Sequence, residues 1–166
     1  MEHTDRPAHI QTSEDAAEIS ADPALRDAWR ILARAEADES AADAARELHR
    51  GQPIAPIEPD ARVAAELDPG EQVFAMRRHA VLERRRNALE PNAPTFMAGD
   101  LYLTSRRLMI LGPLSTWFRL DEILEILMSG EQLLIVMRYG EGAVVNVAQP
   151  RLLRVEIAAA RAAARG

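Results

Sequence analysis

Residues Gly99 to Gly112, with the sequence GDLYLTSRRLMILG, constrain the fold of this chain more than any other segment. Leu101 and Leu103 alternate with Tyr and Thr before a polar turn at 104–106, and a second apolar run follows the turn and ends at glycine. A period of two on both sides of a short polar turn is typical of a β-hairpin. The segment therefore predicts two adjacent antiparallel strands.

Shorter apolar runs separated by turn residues follow this hairpin, and they read FRLDEI, EILMS, EQLLIVMR and GAVVNVA. The last segment begins at Pro150 and carries apolar residues at helical spacing, which predicts a C-terminal helix over 149–165. Its arginines, among them Arg151 and Arg161, are expected to face solvent. This order predicts an antiparallel meander closed by a helical cap.

At these residues the sequence resembles the bacterial pleckstrin-homology-like and GRAM-like domains. The shared pattern is a glycine, a strand that ends in Leu-Thr, a short turn, Arg-Arg-Leu, another strand and a Leu-Asp-Glu-Ile strand. The resemblance covers residues 67–166. It implies an α+β, mainly β fold: an antiparallel β-barrel or sandwich capped by a C-terminal α-helix. Such domains bind other molecules and do not catalyse reactions, so the resemblance also implies a binding module.

The residue types present argue against catalysis. Without cysteine, the chain can form neither a disulfide nor a thiolate nucleophile nor a cysteine-ligated zinc site. Its four histidines are far apart and lack metal-ligand spacing. Neither a phosphate-binding glycine loop nor a nucleophile motif occurs in a suitable context. We therefore expect no enzymatic activity, no cofactor and no metal.

The ends and the apolar runs of the chain bear on its location. The amino terminus carries acidic residues and proline where a secretion signal needs a basic start and an apolar run. The longest apolar runs are LMILGPL and LLIVM, well short of the roughly 20 residues that cross a bilayer. We expect no transmembrane segment and a location in a bacterial cytoplasm, with peripheral attachment to the inner face of the membrane as the alternative.

Three segments are predicted before the meander. Residues 1–20 are polar and acidic without apolar periodicity, and are predicted to be disordered. Residues 21–51 form a helical arm that starts at Asp22 and Pro23 and stops at Gly51. Residues 52–66 form a proline-rich linker, in which QPIAPIEPD (52–60) is predicted to be extended. The pleckstrin-homology-like domain then occupies 67–166.

A short apolar stripe on the helical arm is a candidate docking surface. Leu25, Trp29 and Leu32 lie at positions i, i+4 and i+7, so they share one face of the helix. A helix this polar needs a covering surface to hold it. The stripe is predicted to pack on the chain's own barrel, and an interface with another chain or a partner protein is the alternative.

Arginine is concentrated near the start of the domain. Residues 1–70 carry a net charge of −9 and residues 71–166 a net charge of +3. The candidate anion-binding or partner-binding residues are Arg77, Arg78, Arg84, Arg85 and Arg86. An anionic lipid surface or an acidic peptide would suit them. The alternative is a solvated strand end paired with the acidic arm.

Two smaller predictions concern single side chains. Phe96 and Met97 are expected to plug the mouth of the barrel, because exposed phenylalanine is unfavourable. Arg107 is expected to pair with a carboxylate such as Asp100.

Two classes of function follow. The first is a protein-docking or scaffolding module, in which a partner strand or helix lies along the barrel. The second is a peripheral membrane or anionic-ligand adaptor that uses the Arg77–Arg86 cluster. The net charge of −6 favours the first class, because it opposes recruitment to an anionic surface. No nucleic-acid partner is expected, since the arginine cluster lacks aromatic residues that would stack on bases. Partner identity and oligomeric state stay open.

Overall fold

The structure is a computed structural model that describes residues 22–84, 96–139 and 142–165. The predicted disordered tail over 1–20 lies outside these ranges, as do Arg85 and Arg86. The chain divides into two compact units, residues 1–36 and residues 37–166. Within the described ranges, no helix has both the length and the apolar character needed to cross a bilayer.

The arm is one α-helix, α1 (Pro23–Gly51), of 29 residues. Asp22 caps its start, where the Oδ1 atom accepts a hydrogen bond of 2.8 Å from the Ala24 N–H. These bounds confirm the predicted start and stop of the helix. Its buried residues are Asp38 and Ala42, which belong to the second unit.

The predicted proline-rich linker over 52–66 contains a short helix, α2 (Ala61–Ala64). Asp60 starts it by accepting hydrogen bonds of 3.0 Å from the Arg62 and Val63 N–H groups. Its other carboxylate oxygen accepts a bond of 2.7 Å from the Tyr102 hydroxyl. The aspartate cap therefore stabilises a helical turn just after the residues 52–60 that were predicted to be extended, and Val63 in this turn is buried.

Seven strands form one antiparallel sheet with the order β4-β3-β2-β1-β7-β6-β5. The strands are β1 (Val73–Arg84), β2 (Phe96–Thr104), β3 (Arg107–Leu111), β4 (Thr116–Arg119), β5 (Ile123–Ser129), β6 (Gln132–Met137) and β7 (Ala143–Asn146). The chain ends with helix α3 (Pro150–Ala163). This antiparallel sheet, with its C-terminal helix and its N-terminal helix, confirms the predicted α+β class.

The hairpin predicted from Gly99–Gly112 is the β2–β3 pair, with Leu101 opposite Ile110 and Leu103 opposite Leu108. The two glycines make this pairing possible. A Cβ atom added at Gly99 would lie 2.3 Å from the Leu111 carbonyl oxygen, and one at Gly112 would lie 2.0 Å from the Ala98 carbonyl oxygen. The glycines therefore let the two backbones approach each other.

The main core lies between the inner face of the sheet and α3. Leu153, Ile157 and Ala160 of α3 are fully buried in it. A second cluster lies where the α2 segment covers β1, β2 and β3; its members are Val63, Val73, Tyr102, Met109 and Leu111.

The prediction that Phe96 and Met97 form a plug is half right. Met97 is buried in the main core, whereas Phe96 is 62% exposed. Both residues lie in β2, and successive side chains of a strand point to opposite faces. Only one of the two can therefore reach the core.

Candidate functional site

The structure does not gather the described arginines of the Arg77–Arg86 cluster at one surface. Arg77 pairs with Glu156 of α3 at 2.7 Å, and its side chain is 11% exposed. Burial raises the pKa of Glu156 even though Arg77 opposes the shift. Arg84 donates to the Thr116 hydroxyl and lies 5.4 Å from the centre of the Phe118 ring. Arg78 is exposed. An anion-binding role for the cluster stays a prediction.

The predicted stripe of the arm is exposed to solvent. Leu25, Trp29 and Leu32 are 43%, 57% and 53% exposed. Their docking to another surface stays a prediction.

The contact that fixes the second half of α1 was not predicted. Asp38 accepts hydrogen bonds of 2.9 and 3.0 Å from the backbone N–H groups of Arg151 and Leu152 at the start of α3. Gln149, the residue before α3, makes no such bond with its own side chain. Arg151 pairs with Glu131 at 2.8 Å and with Glu39 at 3.2 Å, so the expectation that it faces solvent was wrong.

An open cavity of about 610 Å³ lies beside the turn of the β2–β3 hairpin and the end of β4. We call it the β4 cavity. Its lining residues are Asp68, Ser105, Arg106, Arg107, Trp117, Arg119, Leu120, Asp121 and Ala164. Sequence patterns gave no signal for this site, since its residues come from the approach to β1, the hairpin turn, β4 and the end of α3.

A buried ion pair holds Arg107, one of the residues that line the β4 cavity. The Glu71 side chain has no exposed surface and accepts bonds of 3.0 and 2.8 Å from Nε and Nη2 of Arg107. The Thr104 hydroxyl and the Asp68 N–H also donate to this carboxylate. Burial would raise the pKa of Glu71, but the bonds from Arg107 and Thr104 outweigh burial and lower it. Arg107 therefore pairs with a carboxylate, as predicted, but its partner is Glu71 and not Asp100.

Trp117 forms one wall of the β4 cavity and is 53% exposed. Its ring centre lies 5.8 Å from the Arg107 guanidinium carbon, a cation–π distance. The ion pair with the buried Glu71 fixes the position of that guanidinium, and the indole packs against it. The ring is thus positioned before any partner arrives, which lowers the entropy lost on binding.

The backbone of β4 has an unpaired edge, because β4 is the end strand of the described sheet. The Leu120 N–H donates to the Arg106 carbonyl, so these two residues are a hydrogen-bonded pair. From this position along β4 and β3, hydrogen-bonded pairs alternate with pairs that are not hydrogen-bonded. By that alternation the N–H groups of Trp117 and Arg119 point away from β3. They are available to an added strand.

Arginine and aspartate balance each other around the β4 cavity. Arg119 donates bonds of 3.0 and 2.6 Å to Asp121, and Arg106 lies 3.7 Å from Asp68. Both arginines are more than half exposed. Because exposed pairs are weak, an incoming carboxylate can replace either aspartate.

Metal binding has no candidate residues in the described ranges, where histidine and acidic side chains form no cluster of three that could hold an ion.

The chain is similar in structure to the Vps36 N-terminal PH domain, with a TM-score of 0.43 and 17% identity over 58% of this chain and 81% of that one. It is also similar to the C-terminal domain of an unknown protein from Leishmania infantum, with a TM-score of 0.38 and 18% identity over 58% of this chain and 85% of that one. These likenesses concern the fold alone. No protein-family model matches the sequence. No curated protein matches it.

Proposed function

We propose that this protein is a non-catalytic protein-docking module that binds an extended segment of a partner protein at the β4 cavity. The observation that carries the proposal is Trp117, a half-exposed indole held over Arg107 on the edge strand of the sheet. Tryptophan and arginine are the residue types that dominate binding energy at protein interfaces.

The geometry favours an extended partner. A strand added to β4 would accept hydrogen bonds from the outward N–H groups of Trp117 and Arg119 and donate one to the Trp117 carbonyl. Its alternate side chains would lie against the indole and the Leu120 end of the cavity. A carboxylate on the partner would pair with Arg106 or Arg119.

The alternative function, an anionic-ligand or peripheral membrane adaptor, would use the Arg77–Arg86 cluster. Its support among the described residues is Arg78, since Arg77 and Arg84 are engaged within the fold. Protein docking is therefore the better supported proposal.

A displayed library of random ten-residue peptides provides a probe for the docking site. Peptides are selected on the full chain, and those that also bind the Trp117→Ala variant are removed. The selection should enrich peptides that bind in an extended conformation and carry an apolar residue and a carboxylate. The dissociation constant of an enriched peptide should rise at least about thirtyfold in Trp117→Ala, as expected for a loss of 2 kcal/mol or more at an interface hot spot.

Tyr139→Ala is the matched control, because Tyr139 is 79% exposed and does not line the β4 cavity. It should leave peptide affinity unchanged. An equal loss of peptide affinity in Trp117→Ala and Tyr139→Ala would contradict the docking site. Failure of the selection to enrich any peptide whose binding depends on Trp117 would also contradict it. Salt-sensitive pelleting of the full chain with anionic vesicles would instead support the adaptor function.

A further inference from the structure

Three arginines lie around the end of α3, next to the β4 cavity. Arg161 belongs to the last turn of α3, and Arg165 follows one turn later. Arg138 comes directly after β6, and its backbone N–H donates to the Glu122 carbonyl at 2.7 Å. We call Arg138, Arg161 and Arg165 the arginine group.

The start of β5 brings the arginine group together. Nη2 of Arg161 donates to the Ile123 carbonyl at 2.5 Å, and the Glu122 carbonyl beside it binds the backbone of Arg138. Arg161 is half-buried, whereas Arg138 and Arg165 are exposed. One arginine is therefore anchored in the fold, and the two beside it can reach an incoming ligand.

The arginine group has no compensating acid among the described residues, where none of its members forms an ion pair. The neighbouring carboxylates of Asp121 and Glu122 lie beside Arg119 instead, at 2.6 and 3.8 Å. Burial lowers the pKa of Arg161, and the charges of the other two arginines lower it further. The carboxyl end of α3 contributes a partial charge of only about −0.5. This surface therefore has a positive potential that attracts anions.

The arginine group continues the β4 cavity. Asp121 and Ala164 line the cavity, and Ala164 directly precedes Arg165. Asp121 is two residues before Ile123, whose carbonyl holds Arg161. Two residues of backbone span at most about 7 Å. A segment docked on β4 therefore needs about two or three further residues to pass from the cavity to the arginines.

We propose that the partner segment docked at the β4 cavity carries two or more acidic residues at the end that passes Asp121, and that their carboxylates bind the arginine group. This inference rests on the proposed function and names the chemistry of its partner: an apolar residue for Trp117, with an acidic run to one side. The exposed guanidinium groups of Arg138 and Arg165 present planar forks that bind carboxylates through paired hydrogen bonds.

An acidic segment suits the arginine group better than an anionic membrane does. A segment can place its carboxylates on the arginines alone, whereas a flat negative surface would also meet the exposed carboxylates of Asp121 and Glu122. The net charge of −6 on the whole chain also opposes approach to such a surface. Continuity with the β4 cavity lets one segment occupy both sites.

Reversing the two exposed charges tests the inference on the full chain. The probes are peptides from the displayed library whose binding depends on Trp117. In the variant Arg138→Glu with Arg165→Glu, their dissociation constants should rise at least about tenfold at low salt. The rise should shrink in about 1 M salt, where the screening length is about 3 Å.

Modified peptides show whether the acidic run makes the contact. A version with asparagine and glutamine in place of the acidic run should bind the wild type and the Arg138→Glu, Arg165→Glu variant within about twofold of each other, because it has no charges for the arginines to hold. A version with lysine in the acidic run should bind the variant more tightly than the wild type. Trp117→Ala, in contrast, should weaken every version.

Arg50→Glu with Arg78→Glu is the matched control. Both arginines are exposed, neither lines the β4 cavity, and the variant changes the net charge by the same amount. It should leave the affinity for the acidic peptides within about twofold of the wild type, because exposed charges beyond about 10 Å are screened.

The possible failures are distinguishable. Peptides that depend on Trp117 but bind the Arg138→Glu, Arg165→Glu variant as tightly as the wild type would overturn the acidic run and leave docking at β4 intact. A selection without any peptide that depends on Trp117 would overturn both. Vesicles of equal parts phosphatidylcholine and phosphatidylserine that pellet the wild type but not the variant would assign the arginines to a lipid surface and overturn the inference.

Discussion

Replacing Asp38 should weaken the fold more than any other single change on α1. The Asp38 side chain is 4% exposed and satisfies two backbone N–H groups at the start of α3, at 2.9 and 3.0 Å. Loss of a helix cap costs about 1 to 2 kcal/mol, and the N–H groups left buried without a partner add about 1 to 2 kcal/mol. We expect Asp38→Ala to lower the free energy of unfolding by about 2 to 4 kcal/mol.

Equilibrium unfolding in urea, followed by far-ultraviolet circular dichroism, measures this loss. With a slope of about 2 kcal/mol per molar urea, the midpoint of Asp38→Ala should fall by about 1 to 2 M. The midpoint of Asp38→Asn should fall by about half as much, since asparagine keeps one acceptor oxygen but turns an NH2 donor towards the second N–H group. Asp43→Ala is the matched control, because Asp43 lies on the same helix with a side chain 68% exposed. Equal midpoints for Asp38→Ala and Asp43→Ala would refute the cap.

Three further predictions concern the Glu71–Arg107 ion pair, the pairing of β2 with β3, and Tyr102. The pKa of Glu71 is lowered in the folded state, so the stability that its carboxylate contributes is complete above about pH 4.5 and is lost as the pH falls towards the folded pKa. In urea titrations, Glu71→Gln should lower the free energy of unfolding by about 3 kcal/mol at pH 7 and by progressively less between pH 5 and 3. Gly99→Ala should lower the melting temperature by about 10 °C or more, since the added Cβ would meet the Leu111 carbonyl. The control Gly51→Ala, with open space around it, should keep or raise the melting temperature. Equal melting temperatures for the two variants would contradict the close approach of β2 and β3. Burial, together with the bond to Asp60, raises the pKa of Tyr102 to about 12, so the step near pH 12 in the ultraviolet titration should be absent in Tyr102→Phe; a step that persists would contradict the assignment.

Local sequence patterns predicted the elements whose determinants lie close together in the chain. The β2–β3 hairpin follows from alternation within Gly99–Gly112, and α3 follows from Pro150 and the apolar residues one turn apart behind it. The run FRLDEI was not a single strand. The Leu120–Glu122 turn separates β4 from β5 there, because the Glu122 N–H bonds back to the Arg119 carbonyl.

The candidate site was not predictable from such patterns. Glu71 and Arg107 are 36 positions apart, and Asp38 and Arg151 are 113 apart. Each pairing forms only when the sheet and α3 bring distant segments together. Arg107 was a candidate for an ion pair in the sequence, but Asp100 lies opposite Leu111 at the other end of the hairpin, and the fold brings Glu71 to Arg107 instead.

Amide hydrogen exchange at β4 tests the central claim most directly. In the free protein the N–H groups of Trp117 and Arg119 point away from β3 and should exchange quickly, whereas that of Phe118, which faces β3, should exchange slowly. With a saturating amount of a peptide selected on the full chain, strand addition should slow exchange at Trp117 and Arg119 by at least about tenfold and leave Phe118 unchanged. Saturation that slows exchange elsewhere, while Trp117 and Arg119 keep their free rates, would contradict docking at the β4 edge.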